Sequence, residues 1–117
     1  MKRPFVTFEP FDVVTMPFPF ADKNKSIVRP AVILTDHMRF GALAGIAIVA
    51  MISSAKHSAW PYDVPVSDLQ RAGLLMPCII RMKLNAVDLK LMERKIGYLG
   101  DGDIERVKVA LKSLLPV

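Results

Sequence analysis

Cysteine occurs once, at Cys78, so no disulfide can close within the chain and no Cys pair is available to hold zinc. Cys78 reads as a buried thiol, with catalysis or cross-linking between copies as the alternatives. Histidine is nearly as scarce: only His37 and His57 are present, they lie in separate turns, and neither forms a helical His–Glu pair. No glycine-rich phosphate loop occurs either, so nothing in the sequence favours a zinc hydrolase or a P-loop enzyme, and no metal or cofactor is expected. The longest apolar run, Gly41 to Ile52, falls well short of the roughly 18 residues that span a bilayer. The basic start Met1-Lys2-Arg3-Pro4 is not followed by the apolar core of a signal peptide, so a cytoplasmic protein with no membrane partner is expected.

What is present is apolar. Hydrophobic residues make up 52% of the chain and charged ones only 23%, the opposite of a disordered composition. A length of 117 residues suits one domain, taken as the whole of 1–117. So high an apolar fraction in so short a chain exceeds what one small core absorbs, and a homodimer is expected to bury the surplus. Sixteen Lys and Arg against eleven Asp and Glu leave a net charge of +5, which favours a polyanionic partner such as nucleic acid or an acidic protein segment.

Residue patterns divide the chain into short strands. Phe11 to Met16 reads as the first, broken at Pro17-Phe18-Pro19-Phe20 because proline lacks the amide donor of a ladder. The polar stretch Asp22 to Ser26, with Lys23 and Lys25, is either a mobile basic finger or a solvated turn. Two β-branched runs, Pro30 to Thr35 and Gly45 to Ser53, predict central strands paired through a turn at Asp36 to Gly41, where His37 reads as a surface residue. Trp60 to Val66 contains Pro61 and Pro65 and is expected at an edge or bulge. Cys78 to Val87, which alternates less cleanly, and Lys95 to Leu99 complete five or six strands. Ile104, Val107, Leu111 and Leu114 then recur at helical spacing, with Asp101 and Asp103 available as N-caps and Pro116 beyond the end. Short strands followed by one amphipathic helix predict a mainly β, α+β fold: a small closed barrel with a C-terminal α-helix.

One cluster carries chemistry. Arg29 enters one central strand, and Ser53, Ser54, Lys56 and His57 leave the next; in an antiparallel hairpin the start of one strand lies beside the end of the other. Arg29 and Ser53 are therefore expected at one rim. Such a rim suits cleavage of RNA by its own 2′-hydroxyl, which needs a proton acceptor, donors for the crowded phosphorane oxygens and a proton for the leaving 5′-oxygen. The Arg29 fork matches phosphate oxygens, whereas a serine hydroxyl donates a hydrogen bond but is too weakly basic to act as base unaided. His57 has the right intrinsic pKa for that base; the plain alternative is that His57 and Lys56 decorate an exposed turn.

At these residues the chain resembles the MazF/PemK toxin family along almost its whole length. Asp12-Val13-Val14 with Pro17-Phe18-Pro19-Phe20 is similar to the first strand and loop of its PemK-like branch. Arg29-Pro30-Ala31-Val32-Ile33-Leu34 is similar to its Arg-Pro strand, and Ala50-Met51-Ile52-Ser53-Ser54 to its strand ending in Ile-Thr-Ser. Ala72-Gly73-Leu74, Ile79-Ile80-Arg81 and Ile96-Gly97-Tyr98-Leu99 follow in family order. The resemblance implies an SH3-like, CcdB-like barrel of five to seven strands and a homodimer with an RNA groove near the subunit interface. It further implies a toxin of a type II toxin–antitoxin system that cuts single-stranded mRNA at short motifs without metal, leaving a 2′,3′-cyclic phosphate and a 5′-hydroxyl. The family's catalytic arginine falls on Arg29 and its threonine on Ser53, a departure that keeps the hydroxyl but loses the methyl group that stiffens the rotamer. Ser54 and His57 are further candidates for catalysis or RNA contact, and Lys23, Lys25 and Lys56 for RNA contact. The implied partner is an acidic, partly disordered antitoxin competing with RNA for the same cations.

Two other readings share the fold: a CcdB-like poison of gyrase, and a non-catalytic barrel that binds RNA or protein, with Ser53 marking a degenerate site.

Overall fold

The computed structural model describes residues 7–18, 27–56 and 59–117. Lys23, Lys25 and the rest of their loop, and also His57, lie outside these residues. Six strands follow one another as β1 (Asp12–Phe18), β2 (Ile27–Ile33), β3 (Ile46–Ser54), β4 (Val64–Pro65), β5 (Cys78–Asp88) and β6 (Arg94–Tyr98). The α-helices among the described residues are a single turn α1 (Ala42–Ala44), a short α2 (Leu69–Ala72) and the C-terminal α3 (Asp101–Leu114). Every pairing is antiparallel, and the strands lie in the order β4-β5-β3-β2-β1-β6 within one sheet.

The β-branched runs become the middle of this sheet because both of its faces are covered. Along β3, Ala50 and Ile52 enter one core with Val13, Val32, Ile80, Leu99 and Val107, whereas Ala47, Val49 and Met51 enter a second with Val14, Met16, Ala31 and Ile33. A strand buried on both sides reads as a continuous apolar run, not as alternation. The imperfect alternation of β5 has a different cause. Ala50 faces Leu84 while Ile52 faces Ile80, so Arg81, Met82 and Lys83 together oppose Met51 in a bulge that bends the strand.

The outer strands β4 and β6 share no ladder among the described residues, and helices close the gap between them. The C-terminal end of α2 lies on β6 so tightly that a Cβ on Gly73 would meet the Ile96 carbonyl oxygen at 2.1 Å, and one on Gly97 would meet the Arg71 oxygen at 2.4 Å. Gly73 also has a φ of +76°, which ends α2 in the left-handed region. From the other side α3 buries Val107 and Ala110 in the first core and packs against β4 and β5. Closure is thus by packing instead of by a hydrogen-bonded seam. No helix among the described residues is long and apolar enough to cross a membrane.

Four local expectations are corrected. The first strand does not break at Pro17 but runs to Phe18, since β6 pairing has already ended at Thr15 and no donor is demanded on that side. His37 is not a surface residue: it is only 6% exposed, folded under a wide helical turn, His37–Gly41, in which the Gly41 N–H reaches back to the Asp36 oxygen at 3.1 Å. Only Val64–Pro65 of the stretch Trp60 to Val66 pairs as a strand, at the sheet edge. The N-cap of α3 is Gly100, not an aspartate; Asp103 sits inside the first turn and caps a different segment, Ser67 and Asp68.

Candidate functional site

The site begins with a missing donor. In β2 the Val32 position faces β3, as does Leu34, whose N–H donates to the Ile48 oxygen at 2.9 Å. By the alternation of antiparallel pairs Pro30 faces β3 as well, and it has no N–H to give. The β2–β3 ladder accordingly ends at Ala31 paired with Met51. Carrying that register two residues onward sets Pro30 against Ile52 and Arg29 against Ser53 across strands that have parted. A cleft of about 280 Å³ lies here, lined by Arg29, Pro30, Ile52, Ser53 and Ser54 together with Gly73 to Met76 and Cys78.

Each side chain in the cleft has a definite anchor. Ser53 and Ser54 are held by β5, opposite Ile79 and Cys78. Arg29 pairs across β1 with the fully buried Met16, so the base of its side chain is embedded. Its Nε is buried and has no hydrogen-bond acceptor among the described residues. A buried N–H left unsatisfied costs about 1–3 kcal/mol, more where the group is charged, so the arrangement is costly unless something binds there. The Ser54 hydroxyl accepts from the Lys56 N–H at 3.3 Å and so serves the turn. Lys56 is exposed on that turn. Burial pushes the Cys78 thiol up, which keeps it protonated and unreactive.

Of the residues singled out from sequence, the structure therefore brings Arg29, Ser53 and Ser54 to one cleft and leaves Lys56 beside it. Leu74, Leu75 and Met76 also line the cleft, and none of them is among the site residues expected from sequence. Their signal was Gly73: a left-handed glycine that turns the chain sharply after α2 leaves Leu75 projecting, 99% exposed, over the opening.

A family profile described as PemK-like, MazF-like toxin of type II toxin–antitoxin systems matches residues 9–115. A search of curated proteins finds no match. Among solved structures, the MazF of Deinococcus radiodurans superposes with a TM-score of 0.72 at 16% identity, over 97% of this chain and all of that one. The Mycobacterium tuberculosis toxin MazF-mt6 gives 0.68 at 19% identity, covering 91% and 97%. An endoribonuclease in complex with its cognate antitoxin, from a mycobacterial species, gives 0.70 at 12% identity, covering 95% and 97%. At these identities the likeness establishes a shared fold.

Proposed function

The chain belongs to the PemK-like, MazF-like toxins of type II toxin–antitoxin systems, and on that premise we propose that it is an endoribonuclease cutting single-stranded RNA at the cleft of Arg29 and Ser53. The observation that carries the reading is the buried, acceptor-less Nε of Arg29, on a side chain that lines one cleft together with Ser53. A phosphate lodged there supplies the missing acceptor, and the fork spreads its charge over two oxygens.

The nucleophile is the substrate's own 2′-hydroxyl. Its oxygen bonds to phosphorus as its proton passes to a base, the bond from phosphorus to the 5′-oxygen breaks, and a proton returns to that oxygen. The products are a 2′,3′-cyclic phosphate and a 5′-hydroxyl. Arg29 balances the extra negative charge of the phosphorane, and the Ser53 hydroxyl donates a further hydrogen bond. The base is His57, three residues beyond Ser54 in the sequence, or else Arg29 or water. Because the nucleophile is supplied by the substrate and the charge by arginine, the scheme requires no metal or cofactor. A homodimer and an acidic antitoxin that occupies the same cations complete the proposal, with Lys23, Lys25 and Lys56 guiding the strand.

The gyrase-poison reading gives the Arg29 Nε no acceptor, and we set it second. The deciding experiment incubates purified protein with single-stranded RNA in excess chelator, beside the same strand carrying deoxyribose at the cut site. Cleavage of the first and not the second is expected. Cleavage of the deoxy strand, or strict dependence on a divalent metal, overturns the mechanism.

A further inference from the structure

Trp60 is the only tryptophan, and it stands 41% exposed between β3 and β4. Two cations lie against its ring, the Arg81 guanidinium carbon at 5.9 Å and Lys83 Nζ at 5.7 Å from the centroid. The ring is not on a loose loop. The backbone N–H of Trp60 donates to Asp63 Oδ2 at 2.9 Å, and the Asp63 backbone N–H donates back to the Trp60 carbonyl oxygen at 3.1 Å. The same carboxylate accepts from Arg81 twice, from Nε at 3.3 Å and Nη2 at 3.2 Å, in a largely shielded pair. Asp63 therefore ties the tryptophan turn to β5.

Strand register places this assembly on the face of the cleft. Ser53 faces Ile79, and Ile79 faces Pro65. One pair further along β4 and β5, Asp63 comes opposite Arg81, in keeping with their ion pair. Side chains two apart on a strand share a face, so Arg81 lies on the side of Ile79 and Ser53, while Ile80 points into the core. With strands about 4.8 Å apart and two residues spanning about 6.8 Å, Ser53 and Arg81 are about 8 Å apart along the sheet. The bulge at Arg81–Lys83 turns both cations toward the tryptophan.

We propose that Trp60 is a stacking platform for a nucleobase flanking the scissile phosphate, with Arg81 and Lys83 as its positive rim. The inference rests on the endoribonuclease reading and adds to it a second point of attachment for the strand. An exposed indole beside cations is the pairing that non-duplex nucleic acid demands, since every base offers a flat face and every nucleotide a charge. Stacking of this kind tolerates any base. Trp60 therefore supplies affinity and the path of the strand, while recognition of a sequence motif falls to other contacts.

The test uses the full chain and a single-stranded RNA of about ten nucleotides spanning its mapped cut site, made uncleavable by deoxyribose at that site. Binding is followed by anisotropy of an end label, and tryptophan emission reports Trp60 alone. Saturable quenching in step with binding is expected. Removing the base from one nucleotide at a time should identify one position whose loss weakens binding about tenfold and abolishes quenching. Trp60→Ala should weaken the intact strand about tenfold and become indifferent to the missing base at that position, and Trp60→Phe should recover most of the affinity. Circular dichroism checks that the variants fold; should Trp60→Ala fail to, the scan on the parent protein decides. If the uncleavable strand binds and its all-ribose counterpart is cut, while emission stays constant and no position shows the effect, the platform is wrong and the endoribonuclease reading stands. If no RNA binds or is cut, both fall.

Discussion

The buried carboxylate of Asp103, 1% exposed, accepts from Ser67 twice, from its N–H at 3.0 Å and its hydroxyl at 2.9 Å, across 36 residues of chain. It also accepts from the Asp68 N–H at 3.1 Å and pairs with Arg106. The linkage fixes the first turn of α3 to the segment that leads into α2, and through Gly73 to the wall of the cleft. Burial alone would raise the Asp103 pKa, but the two backbone donors, the Ser67 hydroxyl and Arg106 together outweigh it and hold the pKa below its ordinary value.

That shift has a sign in stability. A carboxyl with a lowered folded pKa contributes stability that is complete above its unfolded value, near 3.8, and is lost as pH falls through the folded value. Asp103→Asn should therefore cost about 3 kcal/mol at pH 7, read from urea melts, with a deficit that shrinks as the parent is acidified below the carboxylate range. Equal melts at pH 7 would show that the network contributes nothing.

At the cleft, Arg29→Ala should slow RNA cleavage by roughly a hundredfold or more, the usual effect of losing one transition-state donor. Arg29→Lys should recover little, because a point charge does not reproduce the fork. Ser53→Ala should be severe and Ser53→Thr tolerated. His57→Ala separates the candidates for the base: a large loss assigns the proton to His57, a small one to Arg29 or water. Rates are compared only among variants whose fold and sedimentation match the parent. Parent-like cleavage by both Arg29→Ala and Ser53→Ala would remove the site.

Gly73 and Gly45 have nearly the same backbone, φ +76° and +75°, but different surroundings. A Cβ on Gly45 meets nothing within 4 Å, whereas one on Gly73 strikes the backbone of β6. Gly45→Ala should cost only about 1 kcal/mol of left-handed strain. Gly73→Ala should cost at least about 2 kcal/mol more and slow cleavage as well, since α2 must lift from β6 and carry the cleft wall with it. Thermal melts of the two variants that move together would contradict the close packing.

Leu43 and Met38 are exposed at 82% and 80% and Leu75 at 99%, so apolar surface remains after the two cores are filled. Sedimentation should find a dimer at micromolar concentration, and an acidic antitoxin peptide should bind it with strong salt dependence. A stable monomer at that concentration would count against a groove built from two subunits.

Much of the fold was legible because it is written locally. The runs at Val13–Met16 and Ile46–Ile52 prefer extended backbone on steric grounds, Pro65 restricts its strand to an edge, and the spacing of Ile104, Val107, Leu111 and Leu114 makes one helical face. The neighbourhood of Arg29 and Ser53 also followed from a local rule, since a hairpin brings the start of one strand to the end of the next. Even the opening of the cleft is prefigured in Pro30, whose missing donor is a property of the residue.

What sequence could not determine depends on partners far along the chain. Asp103 has the composition of a helix cap, and only the arrival of Ser67 and Asp68 makes it a capping group for another segment. His37 looks like any turn histidine until the turn folds back over it. The β5 bulge arises because its two ends are pinned by different residues of β3, and that mismatch turns Arg81 and Lys83 toward Trp60. Residue type determined which elements form; the register and packing among distant elements decided which side chains share a face, because a slip of a single residue sends every side chain of a strand to the opposite side.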